Sequence, residues 1–222
     1  MTRRMLTLAL FAASLAAQTS TRDQRWSDDL AAYFNNLRAR HPFLRNTTPN
    51  GWDADIAALR ARVSSLNDTQ ILVEANRITA TLGDAHTYIY YVAQNGFRFL
   101  PLRLRWLADG FYVTNAGGRA LPLLGQKVRS IASTPVDEVF TRARAVLPHE
   151  NLSWARQQVP ALMISPDVLF ALGLIPAADA AVRVELANGQ ALDLGIENVA
   201  LTAFPRKART VSAAMGYSFV MP

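Results

Sequence analysis

The stretch Gly83–Thr87 reads Gly-Asp-Ala-His-Thr and marks the point where the hydrophobic pattern of the chain changes. Before it, from Ser27 to Leu82, apolar residues recur with the spacing of helices. After Gly96 they alternate with polar residues, as in strands that bury one face. Helices followed by strands predict an α+β fold. His86 therefore lies at a helix-to-strand corner, beside an acid and a hydroxyl.

Three helices are predicted upstream of this corner, and their apolar stripes can bury one another. Residues 22–86 are therefore expected to form a three-helix module. The run Tyr88–Val92, which follows the corner, is β-patterned and predicts a strand. The predicted helices run from a Ser27 cap to Pro42, from about Trp52 to Leu66, and from Asn67 or Asp68 to Gly83, a glycine of the kind that commonly ends a helix.

Residues 97–200 are expected to form a β domain that is interrupted by helices. Asp109-Gly110 and Asn188-Gly189 are turn pairs, and each predicts a hairpin. Residues 203–222 carry little pattern. Further helices are predicted to begin at the capping residues Thr134, Asn151 and Ser165.

Residues 1–20 are predicted to be a secretory signal peptide, because Arg3 and Arg4 precede an apolar run, Met5–Ala17, that ends in small residues. This run is shorter than the roughly 18 to 20 apolar residues that cross a bilayer. We therefore expect export to the periplasm or the extracellular space, with no stable membrane anchor once the signal is removed. The chain has no cysteine, so it forms no disulfide bond.

The formal net charge is +6, and the arginines are scattered rather than clustered. Nucleic-acid binding depends on a concentrated basic surface, so nucleic acid is not an expected partner. Half of the residues are hydrophobic, which favours a packed globular protein over a disordered one.

His86 is the candidate catalytic residue. A Ser-His-Asp triad can be assembled from His86, Asp84 and any of several serines, but no Gly-x-Ser-x-Gly elbow occurs. A purely structural role stays open, because a histidine at a helix end can bond the last carbonyls. Of the other two histidines, His41 is expected to be a half-buried packing residue and His149 a surface residue. Their spacing predicts no metal site, and no cofactor motif is present.

Several motifs in order resemble the N-terminal portion of secreted tail-specific, or C-terminal processing, serine peptidases, in particular the tricorn-like branch. Gly83–Thr87 is similar to the family's Gly-Asp-x-His-Thr/Ser. Phe99–Leu102 and Asp109–Val113 match its next segments. Leu124–Ile131, followed by Thr134–Val136, is similar to the family's PDZ-like domain. The resemblance covers the chain from about residue 22 to Val199.

The resemblance implies a helical module and a PDZ-like domain that precede an α/β catalytic domain carrying the nucleophilic serine. It also implies that His86 is a general base. Asp84 and Thr87 match the motif without an implied chemical role. Because the chain ends at Pro222, where the catalytic domain is expected to begin, we expect a non-catalytic N-terminal part that is inactive alone. The implied partner is a polypeptide substrate or a peptide terminus.

The alternative hypothesis is a secreted peptide-binding or scaffold module, in which the edge of the PDZ-like sheet adds a peptide as an extra strand. A free-standing hydrolase that uses only these residues is a third reading.

Overall fold

The computed structural model describes residues 21–195 and 209–210, and it has an α+β fold. Helices come first along the chain, and two antiparallel sheets with further helices follow. The predicted fold class is therefore confirmed. The predicted signal peptide, residues 1–20, lies outside the described residues, as does all of the tail 203–222 except Arg209–Thr210. Within the described part, no helix is both long and apolar enough to cross a membrane.

The N-terminal helices form a compact group whose apolar stripes face one another, as their spacing predicts. Phe34 meets Trp52 edge to face, with ring centroids 5.6 Å apart. The indole of Trp52 also donates a hydrogen bond to the carbonyl of Ile78 at 3.3 Å. The helices are α1 (Arg22–Arg40), α2 (Trp52–Ala61) and α3 (Asp68–Ala80), with short 3₁₀ turns at Pro42–Arg45 and Val63–Ser65.

Two predicted helix boundaries are wrong. Helix α1 begins before Ser27, because Thr21 is the cap and its hydroxyl accepts the backbone N–H of Gln24 at 3.2 Å. The Ser27 hydroxyl instead accepts a hydrogen bond from Arg60, at 3.1 Å. Helix α2 stops before Leu66, since the chain tightens into a 3₁₀ turn that lets it reverse into α3.

Helix α3 begins where the sequence predicts. The Asn67 side chain accepts the backbone N–H of Gln70 at 2.8 Å, and the Gln70 side chain accepts the N–H of Asn67 at 2.9 Å. This reciprocal pair is a capping box, which satisfies two donors that a helix start leaves unpaired.

The predicted strand at Tyr88–Val92 is wrong. Within the described residues this segment pairs with no strand. The buried Asn76 side chain of α3 holds it instead, because that amide both donates to the carbonyl of Ile89 and accepts its N–H, each at 2.7 Å. One side chain thus supplies the two hydrogen bonds that a neighbouring strand would have made.

The first sheet is built on the predicted tight hairpin, but its turn is Ala108-Asp109, one residue before the predicted pair, because Gly110 already pairs with Leu107 in the strand. Leu102 and Leu104 are buried while Arg103 and Arg105 are exposed, which confirms the expected alternation. In the order β1-β2-β7, β1 forms one edge of this sheet. The strands are β1 (Leu102–Leu107), β2 (Gly110–Ala116) and β7 (Arg209–Thr210), all antiparallel.

The second sheet has the order β4-β3-β5-β6 and is also antiparallel. The Asn188-Gly189 turn joins β5 to β6, as predicted. The N–H of Leu186 closes this turn on the carbonyl of Gln190, at 2.8 Å. The strands are β3 (Val128–Ile131), β4 (Thr134–Pro135), β5 (Val182–Leu186) and β6 (Ala191–Leu194).

Three helices interrupt the strand-rich half. Asn151 and Ser165 cap the second and third of them through their side chains, as predicted. The predicted Thr134 cap is wrong: Thr134 pairs with Ile131 in β4, and Pro135 precedes the helix without a side-chain cap. The helices are α4 (Val136–Arg144), α5 (Leu152–Gln158) and α6 (Pro166–Ala171), with 3₁₀ turns at Ala93–Asn95, Gly118–Leu123 and Val159–Ile164.

A buried ion pair fastens the start of the strand-rich half to α6. Asp167 is 3% exposed, and it accepts the backbone N–H of Arg98 at 2.7 Å and its guanidinium at 2.6 Å. Helix α3 also contributes to both hydrophobic cores, since Val73 packs with the strand-rich half and Ile71 with the helices. The corner therefore follows a helix that packs against both hydrophobic cores.

Candidate functional site

The corner that carries His86 is a turn just after α3. The N–H of Gly83 bonds the carbonyl of Ala80 at 3.1 Å, and Gly83 has a φ of +65°. This left-handed conformation favours glycine and ends the helix. Ala85 is buried, 3% exposed, so it anchors the turn in the protein while His86 stands outside. Local backbone chemistry thus presents the histidine on the surface.

Asp84 organises this turn through three hydrogen bonds. Its carboxylate accepts the Thr87 hydroxyl at 2.6 Å, the backbone N–H of His86 at 2.9 Å and His41 Nε2 at 3.0 Å. The hydrogen bond from Thr87, followed by that from the His86 backbone, lowers the pKa of Asp84 from 3.8 to about 2. Asp84 is therefore ionised at neutral pH, and its carboxylate is fixed in orientation.

His41 has a role beyond the predicted packing. Its side chain is 10% exposed and lies against Asp84. Its Nδ1 is buried without a hydrogen-bond partner in the described part of the chain. A buried N–H without an acceptor is costly, so the proton of the neutral ring lies on Nε2, which donates to Asp84. His41 thus supports the corner from the end of α1.

His86 itself is open to solvent, with a side chain that is 85% exposed. Its Nδ1 lies 3.5 Å from Asp84 Oδ1 and 3.6 Å from Glu150 Oε1. These distances are contacts rather than short hydrogen bonds, but both neighbours are carboxylates. Among the described residues, no hydrogen bond joins the ring to a carbonyl of α3, so the helix-end packing role is not supported.

Glu150 is a site residue that the sequence reasoning missed. It lies in the turn between α4 and α5, just before the Asn151 cap, and it is exposed. Its neighbour His149 is partly buried, with Nδ1 2.9 Å from the carbonyl of Leu147. Because Glu150 is far from His86 along the chain and belongs to no shared motif, only the fold reveals that they meet.

In residues 21–195, no nucleophile of the kind that a hydrolase needs is found beside His86. Within the described residues, no serine hydroxyl hydrogen-bonds the His86 ring. Ser130 bonds Glu185 at 2.7 Å, and Ser165 caps α6. The ion pair of Lys127 with Asp109, at 2.8 Å, raises the pKa of its ammonium group, whereas a general-base lysine needs a lowered pKa.

A separate cleft of about 630 Å³ runs along the edge strand β1, facing α5 and the 3₁₀ turn that follows it. Arg156 stacks on the Trp106 ring, with its guanidinium 4.3 Å from the ring centroid. Arg105 also lines the cleft, and none of its lining residues is acidic. The lining consists of Arg103, Leu104, Arg105, Trp106, Ser153, Arg156, Gln157, Gln158, Ala161 and Ile164.

Comparisons with known proteins support the fold alone. No family model and no curated protein matches the sequence. Among solved structures, the chain is similar to the structure of mature CPAF complexed with lactacystin, with a TM-score of 0.53 and 12% sequence identity. CPAF is a chlamydial serine protease similar to the tail-specific proteases. The match covers 90% of this chain but 39% of that chain. At this identity the likeness concerns the fold alone: the chain shares its fold with part of CPAF.

Proposed function

We propose that this chain is the N-terminal part of an exported serine-type peptidase of the tail-specific kind, and that His86 is its general base. In this proposal the nucleophilic serine belongs to an α/β domain that these residues do not contain. The chain alone is then inactive, because a base without a nucleophile cannot cleave a peptide bond.

The exposed ring of His86 is the observation that carries this proposal. With its Nδ1 beside Asp84 and Glu150, the favoured neutral tautomer has its proton on Nδ1, facing the two carboxylates. The lone pair of Nε2 is then available as a base. The same carboxylates stabilise the imidazolium that forms when Nε2 takes a proton, as the acid does in a serine-protease triad. Asp84 and Glu150 are thus positioning residues.

The reaction follows from this tautomer. His86 Nε2 takes the proton of the serine hydroxyl as the serine oxygen attacks the peptide carbonyl. It then returns that proton to the leaving amine, and an acyl-enzyme remains for water to hydrolyse.

Labelling with a fluorophosphonate, which acylates activated serines, tests this proposal. We expect no labelling of the purified 222-residue chain alone. When the chain is produced together with an α/β domain encoded next to it, the serine of that domain should react with the probe. Labelling of a serine in the isolated chain, or no labelling of the combined protein, would overturn the proposal.

The cleft along β1 favours a second candidate, a peptide-binding module. An edge strand has unpaired backbone groups, so it can pair with an extended peptide. Arg105 and Arg156 give this cleft a basic lining. The favoured ligand is therefore an extended peptide with acidic side chains or a free carboxyl terminus.

Fluorescence anisotropy with a labelled acidic peptide tests this candidate, with a basic peptide of the same length as reference. We expect preferential binding of the acidic peptide and a loss of about 10-fold in affinity in Arg105→Glu. Arg45→Glu makes the same charge change away from the cleft and should bind almost normally. Equal affinity for both peptides, or an equal loss in Arg45→Glu, would reject this candidate.

A further inference from the structure

The geometry points to a binding site for a divalent transition-metal ion of the zinc class, formed by Asp84, His86 and Glu150. It further points to this ion as a switch that turns His86 off as a base. The switch rests on the proposed function, whereas metal binding does not.

Two of the three separations between the ligand atoms match those around a zinc ion. One oxygen of Asp84, one of Glu150 and a ring nitrogen of His86 all lie within 4.8 Å of one another. The nitrogen of His86 is 3.5 Å from the Asp84 oxygen and 3.6 Å from the Glu150 oxygen. Zinc bonds of about 2.0–2.2 Å in tetrahedral geometry separate neighbouring ligand atoms by about 3.3–3.6 Å. The His86 nitrogen is thus correctly spaced for an ion shared with either carboxylate, and the exposed Glu150 side chain can adjust to complete the site.

The ligand set also suits zinc chemically. One imidazole and two carboxylates are borderline to hard donors, which zinc accepts and which leave one tetrahedral position for water. The exposed side chains of His86 and Glu150 leave that position open to solvent.

The outer contacts of Asp84 prepare it as a ligand. His41 Nε2 and the Thr87 hydroxyl hold one carboxylate oxygen, Oδ2, while the other, Oδ1, faces His86. Metal-binding carboxylates are commonly held by such outer hydrogen bonds, which fix their direction and keep them ionised. His41, at the end of α1, thus holds the Asp84 ligand in place without being a ligand itself.

Metal binding would reverse the tautomer of His86. A neutral imidazole carries one proton, which lies on Nδ1 in the base-competent form. Zinc on Nδ1 needs that lone pair, so the proton must lie on Nε2 instead. Nε2 then has no lone pair to accept the serine proton. Occupancy of this site therefore removes the general base without changing the fold.

Isothermal titration of the tag-free chain with zinc chloride tests the binding step. The chain has three histidines and no cysteine, so competing zinc sites are few. We expect one zinc per chain, and at least about a 10-fold loss of affinity in His86→Ala and in Glu150→Gln. His149→Ala, next to Glu150 but outside the ligand set, is the matched control and should bind normally. Magnesium, which prefers six oxygen ligands, should bind far more weakly.

Nitrogen-15 NMR of the histidine rings tests the switch on the same protein. We expect Nε2 of the neutral His86 ring to be unprotonated without zinc and protonated with zinc. Zinc binding that is unaltered in both His86→Ala and Glu150→Gln would overturn the site. Zinc binding without a change of tautomer would overturn the switch. Because neither measurement uses peptidase activity, failure of the proposed function would appear separately, in the fluorophosphonate experiment.

Discussion

Asp84 is the residue that sets the shape of the corner. It fixes the turn through Thr87 and the His86 backbone, and it joins the turn to α1 through His41. The motif around His86 thus contains one residue that builds the turn and one that the turn presents to solvent. The sequence motif contains Asp84 and His86 but does not show which of them builds the turn.

Replacing Asp84 by Asn should lower the free energy of unfolding at neutral pH by about 1–2 kcal/mol, because hydrogen bonds to a charged acceptor become neutral ones. In the wild type the pKa of Asp84 is about 2 when folded, against an ordinary value of 3.8. Its stabilising contribution is therefore present above the unfolded pKa, and it is lost as the pH falls from about 4 to about 2.

Urea unfolding of both proteins at a series of pH values between 2 and 7 measures this effect. The difference between wild type and Asp84→Asn should shrink as the pH falls through that window. A difference that stays constant down to pH 2 would show that the Asp84 charge does not stabilise the corner.

Helix α3 is the element that delivers the corner, and its start is set by the capping box of Asn67. Asn67→Ala should cost about 1 kcal/mol of stability, since the N–H of Gln70 loses its acceptor. Asn67→Asp keeps an acceptor for this N–H, so this control variant should retain most of the wild-type stability. Thermal unfolding followed by circular dichroism compares the two, and equal losses would contradict the cap.

The segment after the corner depends on Asn76, which bonds both backbone groups of Ile89. Asn76→Leu should lower stability by about 2 kcal/mol or more, because it leaves those groups unpaired near the core. Asn95→Ala, which removes an exposed bond to the Tyr90 carbonyl, should change stability by about 0.5 kcal/mol or less. Similar losses in the two variants, measured by urea unfolding, would contradict the clamp.

The sequence predicts the helices and strands better than it predicts which strand or side chain lies beside each of them. Hydrophobic periods locate α1, α3 and the β1–β2 hairpin, and the caps at Asn67, Asn151 and Ser165 are correct because each signal is local. The strand at Tyr88–Val92 fails because a β pattern does not reveal whether a neighbouring strand exists, and here a distant side chain takes its place. Thr134 is not a cap because it pairs with Ile131 as a residue of β4.

The same limit explains what the sequence could say of the site. His86 and Asp84 are neighbours in one motif, so a resemblance finds them together. His41 and Glu150 come from the end of α1 and from the turn before α5, and only tertiary packing brings them to the corner. The sequence therefore could not predict that His86 lies between two carboxylates, because one of them, Glu150, is far away along the chain.

For the whole molecule, the Arg98–Asp167 pair links the start of the strand-rich half to α6. Asp167→Ala should cost about 1–3 kcal/mol, because it leaves the Arg98 N–H without its acceptor, while the partly exposed guanidinium keeps only the carbonyl of Ala178. Glu138→Ala removes only an exposed pair with Arg142 on α4 and should cost about 0.5 kcal/mol or less. Denaturant unfolding measures both, and equal costs would contradict the link.

The described part of the chain shares its fold with part of CPAF, whereas the proposed chemistry rests on one exposed histidine. Because the match covers 39% of CPAF, the proposed role of His86 is tested on the chain combined with an α/β domain.

The most direct test is the rate of fluorophosphonate labelling of the chain combined with the proposed α/β domain, compared in wild type, His86→Ala and His149→Ala. If His86 is the general base, His86→Ala should slow acylation by about 10²–10⁴-fold, while His149→Ala should react almost normally. Circular dichroism should show that both variants stay folded, since the His86 side chain is 85% exposed. Undiminished acylation in folded His86→Ala would contradict the central claim.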